Sequence, residues 1–222
     1  MITRLPKWVE YGAFLLSLLA GCVNAIGLLG FEHQAVSHLS GSVTQFGVGL
    51  FELNSATFHL FWVIVSFLVG AMISGVLIEN TALKLGRHYG SALFIEGGLL
   101  LLAMLALQYG SSWGHYFASA ACGLQNALIT TYSGAVVRTT HVTGVFTDLG
   151  LMIGARLRGQ AFDKRKAILF SIIITGFVLG GVLGAALYQS WQYLALSVPA
   201  LMAVLLSIIY QGFMQDKAAK PK

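Results

Sequence analysis

The sequence predicts an all-α fold, a polytopic membrane bundle of six transmembrane helices plus two short half or re-entrant helices, arranged as an inverted internal repeat. Three observations predict it. Hydrophobic residues make up 57% of the 222 residues and charged residues only 9%, with a mean hydropathy of +0.79, whereas soluble domains carry about 25% charged residues. Six apolar segments are long enough to cross a bilayer, and one polar motif occurs twice.

The apolar segments define the order of the predicted helices. A crossing helix needs about 20 largely apolar residues. The six long segments are 9–29, 58–78, 91–108, 116–136, 167–187 and 192–210. Two shorter segments, 39–53 and 142–157, are rich in Gly, Ser and Thr. Their length of about 15 residues is short for a full crossing, so we expect them to enter and leave the membrane on one side.

The distribution of Lys and Arg predicts the orientation. With six crossings, twelve of the 13 Lys and Arg residues lie on one face, and only Arg138 is left out. If both short segments crossed fully, the resulting eight spans would move Lys84 and Arg87 to the opposite face. The positive-inside rule therefore favours six crossings, with both termini cytoplasmic in a bacterial inner membrane.

The repeated motif divides a single membrane domain, 1–222, into repeats at about 8–110 and 111–212. Its first part reads Gly-x-x-Asn-Ala and its second part Ser/Thr-His-x-Ser/Thr-Gly-x-x-Thr; the copies lie 102 and 103 residues apart. Three crossings in each half place the halves upside down relative to each other. Secondary transporters are often built this way, with the binding site near the midplane.

The second part of the motif supplies the candidate binding residues. Ser or Thr followed by Gly is typical of a helix N-terminus, where backbone N–H groups attract anions. The same pattern also fits ordinary caps at the membrane interface. The candidate substrate-binding residues are Ser37, His38, Ser40, Gly41, Thr44, Arg138, Thr140, His141, Thr143, Gly144 and Thr147.

Asp148 and His141 are the candidates for proton coupling. An ionisable residue at membrane depth is a functional candidate, and Arg138 is the expected partner of Asp148; a structural ion pair is the alternative. Glu96, in the third span, is the only other acid far from a span end; it is either a further candidate of this kind or extends toward the cytoplasmic interface. Four amides are expected to make structural hydrogen bonds: Asn24, Asn126, Gln125 and Gln45. No cofactor is indicated, and the two motif histidines lack further ligands for a metal.

These motifs resemble the YoaK-type bacterial integral membrane proteins, a family long described as a domain of unknown function. The resemblance covers about 12–187 and is most specific at 137–150, which reads Val-Arg-Thr-Thr-His-Val-Thr-Gly-Val-Phe-Thr-Asp-Leu-Gly. The first motif departs from the family at Ser42, where an Asn is frequent. The resemblance implies a polytopic inner-membrane protein and supplies no substrate.

The sequence thus favours a small secondary transporter, with or without proton coupling, for a small polar or anionic solute. A passive channel for a small solute or ion, or a membrane-embedded enzyme, is the alternative. The chain contains no His-Glu-x-x-His motif, and its one Gly-x-Ser-x-Gly match, at 110–114, lies between two long apolar segments rather than between a strand and a helix, so we expect no enzyme. The expected partners are the lipid bilayer and a small-molecule or ion substrate. The pI near 9.3 reflects basic residues that flank spans, so no nucleic acid is expected; a homodimer is compatible with this size.

Overall fold

The computed structural model describes residues 7–30, 39–51, 54–78, 88–133 and 139–219. Regular structure in these ranges is helical. The α-helices are α1 (Lys7–Gly30), α2 (Leu39–Gly49), α3 (Ser55–Leu77), α4 (Tyr89–Gln108), α5 (Trp113–Ser133), α6 (Val142–Leu157), α7 (Lys164–Trp191) and α8 (Ser197–Ala219). A 3₁₀ helix at Gln192–Leu196 connects α7 to α8.

Side-chain caps fix the starts of two long helices. The Asn54 side chain accepts a hydrogen bond from the backbone N–H of Thr57 at 3.0 Å, at the start of α3. The Asp163 carboxylate accepts from the N–H groups of Arg165 and Lys166 at 3.1 and 3.0 Å, at the start of α7. Each cap satisfies first-turn donors that have no partner within the helix.

Among the residues that the structure describes, four helical stretches are long and apolar enough to cross a membrane. They are Trp8–Gly30, Ser55–Leu77, Tyr89–Gln108 and Lys164–Gln215; the last comprises α7, the 3₁₀ helix and most of α8. Large apolar side chains on them face outward, among them Val76, which is 81% exposed. Such surfaces suit a lipid environment, and the prediction of an all-α membrane bundle is confirmed at this level.

The helices α1 and α7 run side by side in the same direction. Gly21 lies against the backbone carbonyl of Phe177, and Gly180 lies against the carbonyl of Leu18. A side chain at either glycine would overlap the backbone of the other helix, so the small residues permit the close approach.

The helices α3 and α5 form an equivalent parallel pair. Gly123 lies against the carbonyl of Phe67, and Gly70 lies against the carbonyl of Ala120. The buried Ser119 hydroxyl also donates to the Val63 carbonyl at 2.8 Å. These contacts join the first helix of one sequence repeat to the third helix of the other, as do the contacts between α1 and α7.

The helix α4 packs between α5 and α8. It runs antiparallel to α8, where the Ser207 hydroxyl donates to the Gly90 carbonyl at 2.6 Å. In contrast to the long interface between α4 and α5, α1 and α8 make few contacts. A largely apolar cavity of about 330 Å³ lies beside them, lined by residues that include Trp8, Leu206 and Phe213.

Candidate functional site

The two parts of the second motif meet at the side chain of Asn126. The Thr140 hydroxyl donates to Asn126 Oδ1 at 2.7 Å, and Asn126 Nδ2 lies 3.2 Å from His141 Nε2. Because the amide nitrogen can only donate, His141 Nε2 must accept, which leaves the ring proton on Nδ1. Thr140 is 1% exposed, whereas His141 is exposed. The motif therefore forms a hydrogen-bonded junction between α5 and the start of α6.

The α6 helix begins within the motif, as the sequence pattern predicts, but the boundary differs. His141 occupies the N-cap position and makes no capping hydrogen bond. Thr143, the residue expected to cap, lies in the first turn and accepts at its carbonyl a hydrogen bond from the Thr147 hydroxyl at 2.9 Å. Gly144 faces open space, with no atom within 4 Å of where a Cβ would stand. The N-cap residue of α6 thus leaves the first-turn N–H groups uncapped by its own side chain, and there is room beside Gly144.

The described part of the first motif follows the same pattern. The α2 helix begins at Leu39, and the Thr44 hydroxyl donates to the Ser40 carbonyl at 2.9 Å. Gly41 also faces open space. The predicted site residues Ser37, His38 and Arg138 lie outside the described residues.

Asp148 is near the start of α7. Its carboxylate lies 3.8 Å from Lys166 Nζ, with the two side chains 51% and 30% exposed. Lys166 Nζ also lies 5.2 Å from the centre of the Phe170 ring. A second contact of 3.8 Å joins Arg165 to Glu10 of α1. Partly exposed ion pairs of this kind contribute little to stability, so these contacts connect the starts of α1, α6 and α7 without requiring a coupling role for Asp148.

The predicted structural amides differ in their environments. Gln125 is 1% exposed, and its side-chain amide donates to the backbone carbonyl of Leu16 on α1 at 3.0 Å. Its hydrogen bond joins α5 to α1. Gln45 is exposed on α2, and Asn24 is half-buried on α1.

A histidine cluster was not predicted from the sequence. His59 Nδ1 lies 3.0 Å from the Tyr116 hydroxyl, and His59 Nε2 lies 2.9 Å from His115 Nδ1. Between two imidazole nitrogens at this distance there is room for one proton. The register of α3 on α5 brings together residues 56 and 57 positions apart, which no local spacing in the sequence reveals. In the ranges that the structure covers, no group of three or more His, Cys, Asp or Glu residues could hold a metal.

The expectation that Glu96 reaches the interface is wrong. Glu96 is 1% exposed, and its Oε2 makes no hydrogen bond to any described residue. The signal available in the sequence was its place inside an apolar helix, where an acid is costly; the sequence did not show which face of that helix is buried.

Comparison of the sequence with known proteins places the chain in a family. The family model described as "Protein of unknown function (DUF1275)" matches residues 12–209. A UPF0700 transmembrane protein of Rhizobium meliloti (strain 1021) is 32% identical over 193 residues, which cover 86% of this chain and 81% of that protein. No solved structure matches the chain significantly. The predicted resemblance to YoaK-type membrane proteins is confirmed, and the chain belongs to the DUF1275 family of membrane proteins.

Proposed function

We propose that this protein is a small secondary transporter for a small polar or anionic solute, which binds between the two Ser/Thr-His-x-Ser/Thr-Gly elements. The observation that carries the proposal is the junction of Asn126 with Thr140 and His141. It holds the start of a short helix, whose N-cap residue makes no capping bond through its side chain, against the half-buried Asn126 of a long helix. Helix starts of this kind inside transporters bind anionic groups of substrates.

The directions of the long helices support six crossings. The contact of Arg165 with Glu10 joins the starts of α7 and α1, and the Tyr193 hydroxyl donates to the Gly30 carbonyl at 2.9 Å, near their far ends. The starts of α1 and α4 line one cavity together with the ends of α5 and α8, so α5 starts on the side where α1 ends. Because His59 at the start of α3 lies on His115 at the start of α5, the chain leaves α1 and enters α3 on that same side. On this proposal α2 and α6 enter and leave the membrane without crossing it.

The helix pairs support an inverted repeat. In the first pair α1 is parallel to α7, and in the second pair α5 is parallel to α3. The second pair runs in the direction opposite to the first. The glycines that make these contacts correspond in the two halves. Gly123 of α5 lies 102 residues after Gly21 of α1, the offset of the first part of the motif, and Gly180 of α7 lies 110 residues after Gly70 of α3, because the second half has a longer segment before its third helix. With the basic segments inside, both termini are cytoplasmic and the bacterial inner membrane is the location that fits.

The first motif has the matching role in this proposal. By the repeat, Asn24 occupies the place of Asn126, and His38 the place of His141. The two junctions would then face one central solute, with Arg138 adding positive charge. Neutral His141, which accepts at Nε2 from Asn126, carries its ring proton on Nδ1.

The test is uptake into proteoliposomes, with and without a pH gradient, across a panel of inorganic phosphate, monocarboxylates and amino acids. We expect saturable uptake of one class, lost in His141→Ala and in Asn126→Ala. His88→Ala is the matched control, since His88 is exposed at the start of α4 and caps nothing. Asp148→Asn tests the coupling role: pH-driven uptake should fall while exchange persists.

Two results would contradict the proposal. Flux that rises linearly with concentration and ignores the pH gradient indicates a passive channel. Equal loss of flux in His88→Ala and His141→Ala would mean that the motif histidine has no specific role.

A further inference from the structure

The carboxyl group of Glu96 is buried at the interface between α4 and α5. Leu93 and Leu100 flank it by one turn on the same face of α4. Leu93 belongs to a core cluster with Leu124, and Leu100 to a core cluster with Cys122. Glu96 therefore faces the middle of α5, within electrostatic range of the Cys122 thiol.

No described side chain around this carboxyl carries a compensating positive charge. The elements packed on α4 are α5, α8 and the 3₁₀ helix. Their described ranges contain no Lys or Arg side chain at the depth of Glu96 in the bundle. Their described titratable side chains are Cys122, His115, Tyr116, Tyr193 and Tyr210. His115 lies two turns of α5 away from Cys122, against His59.

An ionised carboxylate in this place would be strongly disfavoured, because it would lose its water without gaining a cation or full hydrogen bonding. The neutral acid has no such penalty. We propose that Glu96 is protonated in this conformation and is a second group, besides Asp148, that takes up and releases a proton in the transport cycle. The carboxyl O–H bond forms as an O–H bond of a hydronium ion breaks and leaves water, and the reverse transfer forms hydronium again; no other covalent bond changes.

The asymmetry of the bundle indicates how water reaches Glu96. Under the inverted repeat, the interface of α4 with α5 corresponds to that of α8 with α1. The first is tightly packed, whereas the second is open beside the cavity of about 330 Å³. If the two interfaces exchanged their states, α1 would pack on α8 and α4 would separate from α5. This movement would expose Glu96 to water.

This movement also reaches the motif. Asn126 lies one turn beyond Cys122 on α5, so a shift of α5 away from α4 displaces the amide that binds Thr140 and His141. Proton release and rearrangement of the solute site are then one event. The coupling step rests on the proposed function, whereas the protonation of Glu96 does not.

Infrared spectroscopy of the purified protein in nanodiscs tests the protonation without any solute. At neutral pH we expect a C=O stretching band of a protonated carboxylic acid, absent in Glu96→Gln and retained in Glu10→Gln. Glu10 is the matched control because it is partly exposed and lies against Arg165. A spectrum without this band, or with a band that persists in Glu96→Gln, overturns the proposal.

Gln has the shape of a protonated Glu, so Glu96→Gln should fold and melt at or above the wild-type temperature at neutral pH. Failure of this variant to fold would also contradict a neutral Glu96. In proteoliposomes, Glu96→Gln should keep solute exchange and lose uptake driven by a pH gradient; unchanged pH-driven uptake overturns the coupling. If the wild type moves no solute in the panel, the proposed function fails, and the infrared result still decides the state of Glu96.

Discussion

The side chain of Asn126 makes two hydrogen bonds that link α5 to the residues before α6. It accepts from Thr140 and donates to His141, and its own backbone carbonyl accepts from the Thr130 hydroxyl at 2.7 Å. Polar side chains within a membrane bundle must find partners inside the protein. The junction satisfies three such groups at the point where the chain passes from α5 to α6, which explains why an amide and a hydroxyl recur together in the sequence.

Asn126→Ala should destabilise the protein, because it leaves the buried Thr140 hydroxyl without its acceptor. A buried polar group without a partner costs about 1–3 kcal/mol. Thermal unfolding in detergent measures the loss. Thr147→Val is the control, since its hydroxyl bonds only to its own helix and its removal should shift the melting temperature little.

A double-mutant cycle with Thr140→Val separates this hydrogen bond from general packing. The two losses should be markedly less than additive, because either change removes the same contact. Fully additive losses would contradict the direct bond.

At the scale of elements, the sequence predicted most helices because long apolar runs leave few alternatives. The predicted span 91–108 corresponds to α4 at Tyr89–Gln108. The last span was predicted to begin at Gln192, where the structure has a 3₁₀ helix instead. Apolar composition could not separate the connector from the helix, since four of the five residues of the 3₁₀ helix, Tyr193 to Leu196, are hydrophobic like those of a membrane span.

The candidate site was less predictable than the helices. Repetition indicated that Asn126 and His141 belong to one motif, but their hydrogen bond depends on how the chain turns after α5. The contacts of His59 with His115 and the burial of Glu96 depend on helix rotation. An all-round apolar helix such as α4 carries little periodic signal for that rotation.

The parallel helix pairs predict a matched series of glycine variants. Gly70→Ala and Gly180→Ala should each destabilise the protein by about 1–3 kcal/mol, because a new Cβ would overlap a backbone carbonyl of the neighbouring helix. Gly75→Ala and Gly181→Ala add a Cβ on the same two helices where nothing lies within 4 Å. Those controls should be neutral or stabilising by about 0.5–1 kcal/mol, since Ala is the better helix former.

Melting temperatures in detergent compare the four variants. Similar losses for Gly70→Ala and Gly180→Ala are expected, because the two glycines occupy corresponding contacts in the two halves. Equal stability of test and control variants would mean that these interfaces can separate without cost.

At the scale of the whole molecule, the two sequence repeats are interleaved, since α1 packs on α7 and α3 packs on α5. The first helix of each half packs on the third helix of the other, so neither half buries its own glycine contacts alone. On the proposed function, one interface would open while its counterpart closes. A homodimer remains a prediction, as does the identity of the solute.

The topology can be measured directly by labelling with a membrane-impermeant maleimide. Single cysteines replace four residues near the ends of long helices, in a background in which the buried Cys22 and Cys122 are changed to Ala. The labelled positions are His88→Cys, Ser112→Cys, Gln160→Cys and Ser190→Cys. Six crossings predict that Ser112→Cys and Ser190→Cys react in intact cells, whereas His88→Cys and Gln160→Cys react only after permeabilisation.

The comparison of His88→Cys with Gln160→Cys is decisive, because the six-span and eight-span topologies differ only in whether α2 and α6 cross the membrane. If both short helices crossed fully, the chain would have eight spans, and residue 88 would face outward while residue 160 faced inward. Their labelling on opposite sides would make the two halves parallel rather than inverted. The exchange of interfaces that exposes Glu96 would then have no symmetry to support it, since α4 with α5 and α8 with α1 would no longer be counterparts across the membrane.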